Sequence, residues 1–202
     1  MADICSIRPA NDAAAIELSG WCRAMLADIP RNHSLVSDLY ASAATRLAVG
    51  SAIADVRCVL FFGHGNPGSL GTPDAALIDT LNIGNAGGAI FIAMACSSAS
   101  ALGPDAIQQG VESYLGFNGP FAWILGDPDD QFRRAIFSGI SLLTGGGSIR
   151  NALEAMQFGF DGADTYYRNA QAGRKSNSTL GQLTAFYNRH HLVLLGNQAA
   201  TL

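Results

Sequence analysis

Two side chains in this sequence could act together as a nucleophile and its acid-base partner: the thiol of Cys96 and the imidazole of His64. Each comes after an apolar run. Residues 56–62 (Val-Arg-Cys-Val-Leu-Phe-Phe) lead into Gly63-His64-Gly65, and residues 89–95 (Ala-Ile-Phe-Ile-Ala-Met-Ala) lead into Cys96-Ser97-Ser98. An imidazole within hydrogen-bond reach of a thiol can take its proton and later pass one to a leaving group, the minimum equipment of a cysteine hydrolase. Short continuous runs of Val, Ile, Leu and Phe bounded by glycine predict strands buried on both faces of a parallel sheet. Neighbouring parallel strands end on one edge, so the spacing predicts that His64 and Cys96 meet there.

The rest of the chain must supply that sheet and its cover. Apolar spacing predicts helices over residues 12–27 and 34–48, and a short helix over 74–81 after the turn-rich loop 66–73. A further helix is expected over 104–114, starting with Pro104 and Asp105, and then a buried strand at 121–125. Helices over 129–143 and 148–158 flank Gly145-Gly146-Gly147, another helix is expected over 180–187, and residues 192–195 form a last strand. Residues 163–179 turn polar and read as most loop-like at 173–178. The alternation predicts an α/β fold, a mostly parallel central sheet with helices on both faces.

A chain of 202 residues with 49% hydrophobic and 14% charged residues can bury one sizeable core, and we read 1–202 as a single domain. The net charge of -4, the single lysine and the absence of a basic cluster larger than Arg133-Arg134 argue against a nucleic-acid partner. No apolar stretch approaches the roughly 20 residues of a membrane helix and no signal-like N-terminus is present, so no membrane partner and a cytoplasmic location are expected. The four cysteines, Cys5, Cys22, Cys58 and Cys96, lack C-x-x-C spacing, and His33, His190 and His191 lack partners at metal-ligand spacing. Neither a metal nor another cofactor is expected. Gly145-Gly146-Gly147 lacks the lysine of a phosphate-binding loop.

The two site-bearing runs and the segments C-terminal to them resemble the caspase-like cysteine peptidases, in particular their separase and CHAT branches. His64-Gly65 after one buried strand and Ala95-Cys96 after the next form the family's pattern. Met94-Ala95-Cys96-Ser97-Ser98 is similar to the separase Met-Gly-Cys-Ser-Ser, and residues 109–120 are similar to the family's next helix and glycine-rich turn. Ile124-Leu125-Gly126-Asp127-Pro128-Asp129-Asp130 resembles Leu-Trp-Asp-Val-x-Asp, with Gly126 where tryptophan is usual. Gly147 to Ala155 resembles the CHAT helix G-x-S-I-x-x-A-L-x-x-A, and the likeness spans roughly residues 55–197.

The resemblance implies a caspase-like α/β/α sandwich and a cysteine endopeptidase acting on a protein or peptide. Cys96 would form a thioester acyl-enzyme while His64 protonates the leaving amine, and the backbone N–H groups of Gly65 and Cys96 would form the oxyanion hole. Asp127, with Asp130 second, is the candidate acid of a pocket for a basic side chain before the scissile bond. The competing reading has Asp129 and Asp130 stabilising a helix N-terminus. Arg174-Lys175 is a candidate self-cleavage site. Control by a separate regulatory protein or by homodimerisation, and a role in bacterial defence or signalling, are further expectations of the resemblance. A glutamine-amidotransferase-like hydrolase is disfavoured because Ala95-Cys96-Ser97 breaks the G-x-C-x-G elbow, and a phosphatase because Leu102 stands where an arginine is needed. A catalytically inactive, interaction-only relative stays open.

Overall fold

The computed structural model describes residues 2–30, 32–126, 130–172 and 178–202. Strand β1 (Ala2–Arg8) leads into helix α1 (Ala13–Ala27), whose N-terminus is set by Asp12, its carboxylate accepting from the Ala15 N–H at 2.8 Å. Strand β2 (His33–Tyr40) and helix α2 (Arg46–Ala52) come next, then β3 (Cys58–Phe62). A small excursion, β4 (His64–Asn66), β5 (Ser69–Gly71) and β6 (Ala76–Asp79), precedes β7 (Ile90–Met94). The remainder is α3 (Leu102–Gln108), β8 (Ser113–Phe117), α4 (Gln131–Thr144), α5 (Ile149–Ala172), α6 (Ser178–His191) and β9 (Leu192–Gly196).

The central sheet has six strands in the order β2-β1-β3-β7-β8-β9, all parallel except β9, which pairs antiparallel with β8. Every residue of β3, β7 and β8 is buried, as expected of strands covered on both faces. Alternate residues feed two cores. Cys58, Leu60, Phe62, Ile92 and Met94 pack with α1, α4 and α5, whereas Val59, Phe61, Phe91 and Ala93 pack with α2, α3 and the β4–β6 excursion. The fold is therefore α/β, a helix-flanked sandwich around a mostly parallel sheet, consistent with the caspase-like architecture.

Several expected elements differ. Residues 33–40 form an edge strand rather than the start of a helix, because they pair in parallel with β1 along its whole length. Residues 76–79 form β6 instead of a short helix, completing an antiparallel sheet with β5, which itself pairs with β4. The helix expected over 104–114 ends at Gln108, and the buried strand lies at 113–117, not at 121–125. Residues 121–124 instead place aromatic rings over the sheet end: the Phe117 and Phe121 centroids are 4.5 Å apart, Phe121 and Trp123 5.2 Å, and Trp123 and Trp21 5.6 Å. Helix α5 runs on to residue 172 through the segment expected to be loop. Residues 173–177, including Arg174 and Lys175, lie outside the described residues.

One ion pair fixes the end of β1 that leads to Asp12. The Arg8 guanidinium, 8% exposed, donates to both oxygens of Asp38 on β2 at 2.6 and 2.5 Å and to Ser19 Oγ on α1 at 3.1 Å. Hydrogen bonding from Arg8 holds the Asp38 carboxyl below its ordinary value. A depressed folded-state value means stability that is present above the unfolded value and lost as pH falls through the folded one. Asp38→Asn, which leaves Arg8 buried without its counter-ion, is expected to cost about 3 kcal/mol at neutral pH. Urea unfolding checks this, and the gap to the native protein should begin to narrow as pH falls below about 4, the ordinary aspartate value, and close as pH passes through the lower folded-state value of Asp38.

Candidate active site

Four adjacent parallel strands deliver four groups to one edge of the sheet. Ile7 of β1 pairs with Phe61 of β3, and Phe62 of β3 pairs with Met94 of β7. His64 and Cys96 each stand two residues beyond that last pair, where His64 has entered β4 and pairs with Gly71 of β5. The Gly63 N–H donates to the Met94 carbonyl at 3.3 Å, carrying the ladder past the end of β3. Asp12 comes after β1 on one side, and Phe121 after β8 on the other. His64 and Cys96 thus follow the ends of two neighbouring parallel strands on the same edge of the sheet.

The approach at this edge is closest at Gly65. A β-carbon on Gly65 would lie 2.7 Å from the Cys96 carbonyl oxygen and 2.9 Å from the Ala95 β-carbon, so only glycine fits between the two chain segments. The two-residue connection Pro67-Gly68 makes Asn66 and Ser69 the hydrogen-bonded closing pair of the β4–β5 hairpin, which turns the Gly65 N–H away from β5. The Cys96 N–H takes no protein acceptor among the described residues. Just beyond Cys96, Ser97 adopts φ +53°, a left-handed conformation that is costly for a non-glycine residue. Its N–H donates to the Gly119 carbonyl at 2.8 Å, and the Ala99 N–H donates to the Phe117 carbonyl at 2.9 Å, which hold the turn in place.

His64 is oriented by Asp12, a residue whose only mark in the sequence is its place at the start of a helix. The ring Nε2 lies 2.7 Å from Asp12 Oδ2, while the other Asp12 oxygen caps α1. The bond from the Ala15 N–H, helped by that to His64, holds the Asp12 carboxyl below its ordinary value, so it remains an anionic acceptor. With Nε2 donating to Asp12, Nδ1 is left as the ring nitrogen able to exchange a proton with a neighbouring group. Nothing in residue spacing links positions 12 and 64; the one available signal is a capping residue after a short β-rich N-terminal segment. Asp12→Asn preserves the cap but not the anion. If the chain is a hydrolase, turnover is expected to fall roughly 10- to 100-fold in kcat with KM unchanged and only a small drop in Tm, measured by steady-state kinetics and thermal unfolding.

Cys96 is half-buried, and its sulfur is bracketed by the backbone of Phe121, accepting from its N–H at 3.4 Å and donating to its carbonyl at 3.5 Å. That segment is clamped in turn by Asn188 of α6, fully buried, which accepts from the Ala122 N–H at 3.1 Å and donates to the Ala122 carbonyl at 2.5 Å. The other three thiols are interior. Burial pushes Cys5 and Cys58 up to about 12 and raises Cys22 as well. At pH 8 a thiol of that kind is ionised to only about one part in ten thousand. Iodoacetamide is accordingly expected to add once to the folded chain, at Cys96, and four times in denaturant, read by intact mass and peptide mapping.

Of the specificity candidates, Asp127 lies outside the described residues. Asp130 immediately precedes α4 in a left-handed conformation (φ +53°) and pairs with Arg133, without capping the helix through its side chain. Its charge is thus already engaged. The Gly126 N–H donates to Glu17 of α1 at 3.0 Å. No group of three or more His, Cys, Asp or Glu suited to a metal occurs among the described residues, and none of their helices is long and apolar enough to cross a membrane. Compared with models of known protein families and with curated proteins, the chain matches none.

Proposed function

We propose that this chain is a cysteine endopeptidase using Cys96 as nucleophile and His64 as acid and base. The observation that supports the reading is that Asp12, His64 and Cys96 follow three successive parallel strands on one sheet edge, with His64 Nε2 bonded to Asp12. His64 takes the proton of the Cys96 thiol as Sγ attacks the scissile carbonyl, and the negative oxygen is held by the Gly65 and Cys96 N–H groups. His64, steadied by Asp12, gives a proton to the departing amine, and the same ring then takes a proton from the water that cleaves the thioester. The Phe121 N–H can donate to sulfur in either protonation state. Cleavage after Arg or Lys rests on the resemblance and on Asp127, since Asp130 is paired with Arg133.

The test is hydrolysis of a fluorogenic peptide library varied at the residue before the scissile bond. Native protein is expected to cleave and Cys96→Ala to be silent, with a basic preference abolished by Asp127→Asn. A second reading, a scaffold or a peptidase that works only with a partner, is favoured by α6. That helix buries Gly181, Thr184, Ala185 and Asn188 while Leu180, Leu183 and Phe186 are all more than half exposed. Because Asn188 holds the segment against Cys96, a regulatory protein or second copy on that helix would bear on the thiol.

A further inference from the structure

Beside His64 lies a pocket of about 250 Å3, walled by the β4–β5 hairpin and the turn after it, with His64, Gly65, Asn66, Ser69, Thr72 and Pro73 around it. Neither Cys96 nor any residue of the 121–126 segment lines it, so the pocket lies on the histidine side of the site. In thiol-mediated peptide cleavage the acyl part stays on sulfur and the departing nitrogen must reach the imidazole. We infer that this pocket holds the residue immediately after the scissile bond and accepts an uncharged, hydrogen-bonding side chain such as Ser, Thr or Gln. The inference rests on the peptidase reading and adds the substrate class on its leaving-group side.

The walls are preformed. Asn66 Nδ2 donates to Ser69 Oγ at 2.8 Å, the Gly68 N–H to Asn66 Oδ1 at 2.9 Å, and the Ala75 N–H to Thr72 Oγ1 at 3.0 Å. The hairpin tip is tied to the start of α3, which follows the turn carrying Cys96, because the Leu102 N–H donates to the Pro67 carbonyl at 2.7 Å. The chemistry of the lining selects the occupant. A carboxylate would find no cation there except the imidazolium needed for proton transfer, and a lysine or arginine would find no anion and would oppose the charge His64 acquires. A large apolar side chain would strip water from the Asn, Ser and Thr groups without replacing their hydrogen bonds. A neutral amide or hydroxyl replaces them.

Two measurements test this. The first follows cleavage of peptides identical except for Ser, Thr, Gln, Glu, Lys or Leu after the scissile bond. The second needs no turnover: the Cys96→Ala chain is titrated with the dipeptide amides Ser-Gly, Glu-Gly and Leu-Gly while the backbone amides of residues 64–73 are followed by NMR. Expected are a kcat/KM at least about tenfold higher for the neutral polar residues, shifts at Ser69 and Thr72 with Ser-Gly alone, and gain of lysine acceptance in Ser69→Glu. Cleavage indifferent to that residue, or shifts equal for all three dipeptides, overturns the pocket assignment and leaves the peptidase reading standing. Selective shifts without any cleavage, even of the best peptide by native protein, support the pocket's selectivity and overturn the peptidase reading.

Discussion

A His64→Ala, Cys96→Ala double variant is expected to retain no less activity than either single variant, each having lost roughly four orders of magnitude in kcat. The reason lies in how the two groups are placed. His64 and Cys96 follow the ends of the neighbouring strands β3 and β7, and neither does its part alone: without the ring the thiol has no proton acceptor, and without the thiol the ring has no nucleophile to serve. Groups acting as one unit give strongly non-additive losses, whereas independent contributors would make the double variant far worse than either single one. Steady-state turnover of the best library peptide by the three variants reads this directly. Asp12 belongs to the same unit but acts through His64, so its removal costs less.

The second large effect is expected at Gly65. In Gly65→Ala the new β-carbon would be 2.7 Å from the Cys96 carbonyl oxygen, a backbone atom that cannot swing aside as a side-chain tip can. The β4 segment and the Cys96 turn must separate by several tenths of an ångström, and the two N–H donors move apart with them. Losing the alignment of one oxyanion donor costs about 100- to 1,000-fold in kcat, and that is the expected loss here, with circular dichroism showing the fold retained. Gly162→Ala is the control: it lies on α5 away from the site with no atom within 4 Å of the added β-carbon, and activity should be unchanged.

What can be read from the sequence divides along physical lines. The strands β3 and β7 are legible because both their faces are buried, which forces continuous apolar runs such as Val59 to Phe62 and Ile90 to Met94. That legibility extends to the shared edge of His64 and Cys96, since the two runs are neighbouring parallel strands. Edge strand β2 reads as helix because Leu35 and Val36 are exposed and its spacing fits either element; the pairing that decides the matter, to β1, lies more than 25 residues away. Strand β6 is four residues long, too short for periodicity to separate from helix, and β8, though buried throughout like β3 and β7, carries Ser113, Tyr114 and Gly116 in place of a continuous aliphatic run. Phe121 to Leu125 has a strand's composition, yet its aromatic residues are used to cover Trp21 and Phe117. Asp12 escapes notice because its second bond, to His64, spans 52 positions.

The most direct test of Cys96 as the nucleophile is the intact mass of the native chain, acid-quenched during turnover of an activated ester of a cleavable peptide. One acyl group is expected, mapped to Cys96 and released within the turnover time. In His64→Ala the adduct should instead persist, because no base is left to activate water. An acyl group on another residue, or hydrolysis proceeding while Cys96 stays free, would contradict the assignment.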